Sequence, residues 1–482
     1  MMDSSQDTTS AVRIADLPLD VLRQIFAVFE PSYGKRNGKI DFPALNSFFG
    51  SDEYRTIKNA RLACWALNVA SSPLLCPILH LSLDHASLER AKNLCSNPLI
   101  LYGIQGVQIC LAYRPSETAN GLQRYKDFRL KELQSIYDTN GRSAQGVEDN
   151  LEGSGAFDFS TLRRAWNVGS NSKHVLSDEE ESYQELLEKS YEAYKEHHEA
   201  QLRLVSEKIF VSTVASLVSR LHHPLSLHLV SYPYPPRAPG SPMPLASRSN
   251  FLQFMDAPHD WDSIEKLANG PSAFNLSKLL VDLPIACHEA GAAPQHMKID
   301  CFPLSGHSIG KAQSEDFDWK GLGAAFQRIE TFQFGPSFRH RKNPFTRRFR
   351  STLDQGFVDK LLGAATSSPS LSHCSLNMDR FGLRGGGWTK HGVLTFNYNV
   401  DAVVSRICSH GLKVLKLGYA SLEERSLEWL CENIAEEPEA LELSNVRFTN
   451  GRNSVAILDQ LSVKLANAIS EGKCRIVFLN LS

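Results

Sequence analysis

Ile329-Glu330-Thr331-Phe332-Gln333-Phe334 reads as apolar-x-x-apolar-x-apolar, and the signature returns at Leu371-Ser372-His373-Cys374-Ser375-Leu376 and at Leu412-Lys413-Val414-Leu415-Lys416-Leu417. The copies begin at 329, 371 and 412, spacings of 42 and 41 residues. Alternation over so short a run predicts a strand with one apolar face. Each copy follows a stretch with helical periodicity: Trp319 to Gln327, Phe357 to Ala365, and Val400 to Ser409. Weaker copies lie at Met297 to Cys301, Ala440 to Leu443 and Arg475 to Leu479. A repeated helix-then-strand unit cannot bury its own apolar side, so stacked neighbours would form one continuous core and leave an extended surface for a partner. The other reading of the same pattern is a non-repeating α/β domain in which helices and strands simply alternate.

The N-terminus holds a second pattern. In Asp16-Leu17-Pro18-Leu19-Asp20-Val21-Leu22-Arg23-Gln24-Ile25-Phe26-Ala27-Val28-Phe29, Asp16 is a candidate cap, Pro18 suits a first turn, and Leu22, Ile25, Phe26 and Phe29 recur at helical spacing. Ile57, Ala60, Cys64 and Leu67 repeat that logic before Pro73 and Pro77 end the helix. Between the halves, from about Glu30 to Thr56, sits an insert carrying Gly34-Lys35-Arg36-Asn37-Gly38, which reads as a loop. Two short apolar helices, each needing a surface to cover its stripe, have the form of a docking module, or of an ordinary helical hairpin.

Leu17-Pro18, the apolar run to Phe29, Arg61-Leu62-Ala63-Cys64 and Ser72-Pro73-Leu74-Leu75 together resemble an F-box. The helix and strand that follow, Leu88 to Leu101 and Gly103 to Leu111, resemble the continuation found in fungal F-box proteins. That resemblance implies a substrate receptor with no chemistry of its own, in which Leu17, Pro18, Leu22, Ile25, Phe26, Arg61 and Trp65 meet the small adaptor subunit of a cullin-RING ubiquitin ligase. The signature of the later segments resembles leucine-rich repeats, although 41 to 42 residues exceeds the usual 20 to 29 of that family. The expected fold is therefore α/β, an N-terminal helical F-box-like module followed by a helix-strand repeat array, a leucine-rich-repeat-like solenoid. Its expected parts are a disordered tail at 1–12, the module at 13–80, a helical linker region at 81–224 and a target-binding array at 225–482.

Composition narrows the function class. With 482 residues, 42% of them hydrophobic, the chain can bury a large core. Its 51 basic and 53 acidic residues leave a net charge of -2, which gives no field to draw nucleic acid or an anionic membrane, so neither is an expected partner. The ten cysteines include no Cys-x-x-Cys pair, which suits buried thiols in a reducing compartment and predicts neither metal nor other cofactor. A polar start at Met1 to Ser10 and the lack of an 18-residue apolar run predict a cytoplasmic or nuclear protein.

Other motifs are weaker. Ser177-Asp178-Glu179-Glu180 forms a capping box before a long helix expected to reach about Arg220, with Tyr183, Leu187, Tyr191, Tyr194 and Leu202 as its core stripe. His197 and His198 are adjacent and so point apart, which does not suit a metal pair. Gly306-His307-Ser308-Ile309-Gly310 matches the nucleophile elbow of α/β-hydrolases, with Asp379 and His391 or His410 in the required order. Pro303 before it and a polar Lys311 to Asp316 after it argue against the strand and helix an elbow needs, so a serine hydrolase is the minor reading and no enzyme is expected. The proline-crowded Tyr232 to Pro244 and the basic Arg339 to Arg350 read as a spacer and a solvated insertion.

Overall fold

The structure is a computed structural model. It describes residues 14, 17–29, 35–36, 39–40, 42, 48–143, 159–167, 176–232, 248–261, 264, 276–301, 317–335, 348–350, 352–379, 381–389, 392–407, 411–433, 439–449 and 476–479, with a few single positions between 456 and 470. The tail 1–12, Asp16, Pro233 to Pro244, Ser308 with its flanking glycines, His391, His410 and Arg339 to Arg347 lie outside the described residues.

The first α-helix among the described residues is α1 (Leu19–Ala27), which follows Pro18 directly and has no side-chain cap. Within the insert, Lys35–Arg36 pairs antiparallel with Lys39–Ile40. Ser51 accepts a bond from the Tyr54 amide and starts α2 (Asp52–Ala63). The expected continuous second helix is broken: Cys64 is extended (φ -161°, ψ 168°), and α3 (Trp65–Ser71) starts anew after it.

From Ile78 onward one sheet organises the molecule. Its strands are β1 (Ile78–Ser82), β2 (Gly106–Cys110), β3 (Leu225–Val230), β4 (Pro294–Asp300), β5 (Thr331–Phe334), β6 (His373–Asn377), β7 (Val414–Gly418), β8 (Ala440–Ser444) and β9 (Ile476–Leu479). All neighbours are parallel, and the order across the sheet is the order in the chain. Parallel neighbours need a long crossover, here supplied by helices. These are α4 (His85–Ser96), α5 (Leu122–Ser143), α6 (Asp178–Ser206), α7 (Ile209–Val218), α8 (Leu279–Glu289), α9 (Trp319–Phe326) and α10 (Thr352–Thr366). Helices α4, α7, α8, α9 and α10 pack one against the next in a single file. Their apolar sides share one core with Leu79, Val107, Leu227, Met297, Phe332 and Cys374, which stand side by side in register.

This corrects the expected fold. The chain is not a helical F-box-like module followed by a leucine-rich-repeat-like solenoid. It is an α/β protein whose parallel sheet takes β1, β2 and β3 before or at the start of the supposed array and runs through to β9. A second, five-stranded sheet joins Arg348–Arg350, Phe381–Thr389, Gly392–Asn399, Ala420–Glu423 and Arg447–Thr449, with one antiparallel pair inside it. The 41 to 42-residue spacing is the length of a strand, its crossover and the extra strands of that second sheet. Periodicity alone could not separate such a sheet from a solenoid, because any parallel pair demands the same strand-helix-strand rhythm.

Other local readings hold. The Ser177 capping box forms in full, with Glu180 reaching back to the Ser177 amide at 3.0 Å. The helix it starts ends at Ser206, however, because Lys208 turns left-handed (φ 57°) and α7 begins beyond it. Tyr183, Leu187 and Tyr194 are buried as the stripe required.

Candidate functional site

An all-parallel sheet is ordinarily covered with apolar material on both faces. Here the two faces differ among the described residues. One residue on from the apolar row, the register brings His80, Gln108, His228, Lys298, Gln333, Ser375, Lys416 and Glu442 into a second row, one per strand from β1 to β8, on the face opposite the helices. Strands spaced about 4.8 Å apart make such a row on the order of 35 Å long.

The row changes character along its length. Towards β8 it is open: Gln333 is exposed, and Ser375, Lys416 and Glu442 are half-buried. Its charges there are balanced within the chain. Lys416 Nζ donates to Glu442 Oε2 at 2.8 Å, and Glu439 lies 3.7 Å from both Lys413 and His373. Towards β1 it is closed, with Gln108 and His228 each 2% exposed. The cover comes from the insert. The Phe42 ring stands 4.8 Å from the His228 ring, and the Phe49 ring 5.5 Å from the His80 ring. Burial lowers His80 to about 4, helped by the Arg90 charge, and lowers His228 well below the usual range, helped by Lys298 and His80. Both imidazoles are therefore neutral at physiological pH.

A different group of charges closes the C-terminal end of β2. Arg114 donates to the Asp256 carbonyl at 2.6 Å and to its carboxylate at 3.1 Å, while Tyr113 and His259 exchange backbone bonds. Arg129 bonds Glu132 at 2.8 Å and the Ala257 carbonyl at 2.6 Å, beneath the rings of Tyr125, Tyr194 and Phe254. Burial and the Arg129 charge lower His259 to about 4. With the Arg129 and His259 side chains only 2% exposed, this cluster is a clamp between α5, α6 and the segment after Asp256 rather than a surface open to a substrate. His197 reaches Asp256 at 2.8 Å and His198 the Arg114 carbonyl at 2.5 Å, so the adjacent histidines do diverge.

The residues expected to meet an adaptor separate into two sets. Leu22 and Phe26 are buried against Ala70 of α3, with Leu17 and Ile25 half-buried beside them. Leu22 and Phe26 thus hold α1 to α3 and do not face outward. Pro18 is exposed, and Arg61 is half-buried with no hydrogen-bond partner for Nε among the described residues. Trp65 is 76% exposed, as are Leu62 at 80% and Val28 at 82%. Leu62 and Val28 were not among the expected contacts, because helical periodicity assigns a side chain to a stripe without saying which stripe the fold leaves open.

No helix among the described residues is long and apolar enough to cross a membrane, and no group of three or more metal-ligating side chains occurs among them. Burial pushes the thiols of Cys110, Cys287 and Cys374 up to about 12, which keeps them protonated and unreactive. No protein-family model matches the chain, and comparison with curated proteins finds no match.

Proposed function

We propose that this chain is the substrate-recognition subunit of a cullin-RING ubiquitin ligase, holding the small adaptor subunit through α1–α3 and a protein target on the polar face of the parallel sheet, with no catalysis of its own. The observation that carries the reading is the exposure of Leu62 and Trp65 across the Cys64 break, inside the segment that resembles an F-box. Large apolar side chains left in water beside a helical pair already closed internally mark a surface awaiting a partner. The open polar row supplies a second surface. In open α/β sheets a small-molecule crevice forms where the strand order reverses, and here the order never reverses, which favours a macromolecule over a nucleotide.

The test is recovery of purified adaptor on the immobilised full chain. Wild type retains the adaptor, and Leu62→Glu with Trp65→Glu loses it while keeping its melting temperature. Equal recovery by both proteins rejects the reading. Recovery of a target without any cullin would instead favour a binding scaffold outside the ligase, which the independence of the two surfaces allows.

A further inference from the structure

The covered end of the polar row is an unusual floor. His228 is 2% exposed, and neither of its ring nitrogens has a hydrogen-bond partner among the described residues. A buried polar group left unmatched is unfavourable, and natural interiors rarely tolerate it. Phe42 covers this imidazole with a ring that can offer it no hydrogen bond, so the cover fits the floor in shape and not in chemistry. Phe42 also belongs to a small cluster with Ile78 and Phe49 that is separate from the main core. Beyond His228 the same row passes Lys298, whose side chain is 12% exposed, to the exposed Gln333 and the half-buried Ser375 and Lys416.

We propose that Phe42 and Phe49 are a resident cover on the target-binding face, displaced by an extended polypeptide that presents a tyrosine to the floor formed by His80, Gln108 and His228. The tyrosine ring takes the place of Phe42, and its hydroxyl satisfies a nitrogen of His228. The remainder of the segment lies along the open row. The inference rests on reading this face as the target surface, and not on adaptor capture.

The probe is a fluorescein-labelled peptide of the chain's own residues 38–51, in its natural form and with tyrosine in place of Phe42. Fluorescence anisotropy is measured with the full wild-type chain and with Phe42→Ala plus Phe49→Ala. The uncovered variant binds the natural peptide about tenfold more tightly than wild type, as for a face that is open a tenth of the time, and it binds the tyrosine peptide more tightly still. Adding His228→Leu removes the tyrosine advantage and leaves binding of the natural peptide. Equal binding to wild type and variant, or no binding to either, overturns the proposal. Wild type offers the same test without substitution: saturating tyrosine peptide speeds amide hydrogen exchange in residues 35–50, and unchanged exchange also overturns it. Adaptor recovery measured on the same proteins separates the two readings, since a failed cover leaves that recovery intact and a failed ligase reading leaves peptide binding intact.

Discussion

Phe332 and Gln333 are neighbours on one strand, yet the first is sealed in the core and the second lies in water. The apolar-polar alternation repeats from Leu79 and His80 on β1 to Leu441 and Glu442 on β8, but Gln108 and His228 are buried, so the polar row reaches water only towards β8. A strand turns successive side chains to opposite faces, so a single-residue step separates the row that holds the protein together from the row available to a partner. The apolar row explains why the sheet forms. The polar row has a covered end at His228 and an end open to water at Gln333.

The largest expected difference breaks this pair of rows apart. Phe332→Ala loses about 3 to 5 kcal/mol of stability in denaturant titration, the usual result of emptying a buried aromatic site, whereas Gln333→Ala changes it by less than about 0.5 kcal/mol. The N-terminal helices repeat the contrast. Leu22→Ala costs on the order of 2 to 5 kcal/mol because it opens a hole between α1 and α3, while Trp65→Ala leaves stability nearly unchanged and acts on adaptor recovery.

The covered and open ends of the polar row differ in their response to pH. His80 titrates at about 4 in the folded chain against an ordinary 6.5, and His259 does the same at the clamp. As pH falls below 6.5 the unfolded chain takes up protons that the folded chain refuses, so stability declines until about pH 4, by roughly 3 kcal/mol for each histidine. Above pH 6.5 both groups are neutral in both states and contribute no slope. His80→Leu removes its share of the decline, measured as melting temperature against pH. The effect at the open end is small: Glu442→Gln breaks the bond to Lys416 and costs less than about 1 kcal/mol, because both side chains are partly solvated.

Much of the sheet was legible in the residues. The segments at 329–334, 371–376 and 412–417 became β5, β6 and β7, and the strand read at Gly103 to Leu111 became β2. Strand β1 escaped notice because Ile78 to Ser82 sits between Pro77 and a helix in a stretch assigned to the helical module. The overall architecture was not legible, since alternating helices and strands describe an open parallel sheet and a solenoid equally well. The cover was invisible for a different reason. Phe42 and Phe49 lie in an insert with no periodicity, and their contacts with His228 and His80 span long stretches of chain. Trp65 starts a new helix after the Cys64 break, which leaves no mark in the helical spacing of Ile57, Ala60, Cys64 and Leu67.

The account stands most directly on which side of the sheet meets another protein. A photoreactive benzoylphenylalanine is placed in the full chain at Gln333 on the polar row, or at the exposed Glu289 on the helical layer, and irradiated in the chain's own cells. A discrete protein adduct forms from position 333 and not from position 289. Adducts from 289 alone, or equally from both, would contradict the assignment of the polar row as the binding face.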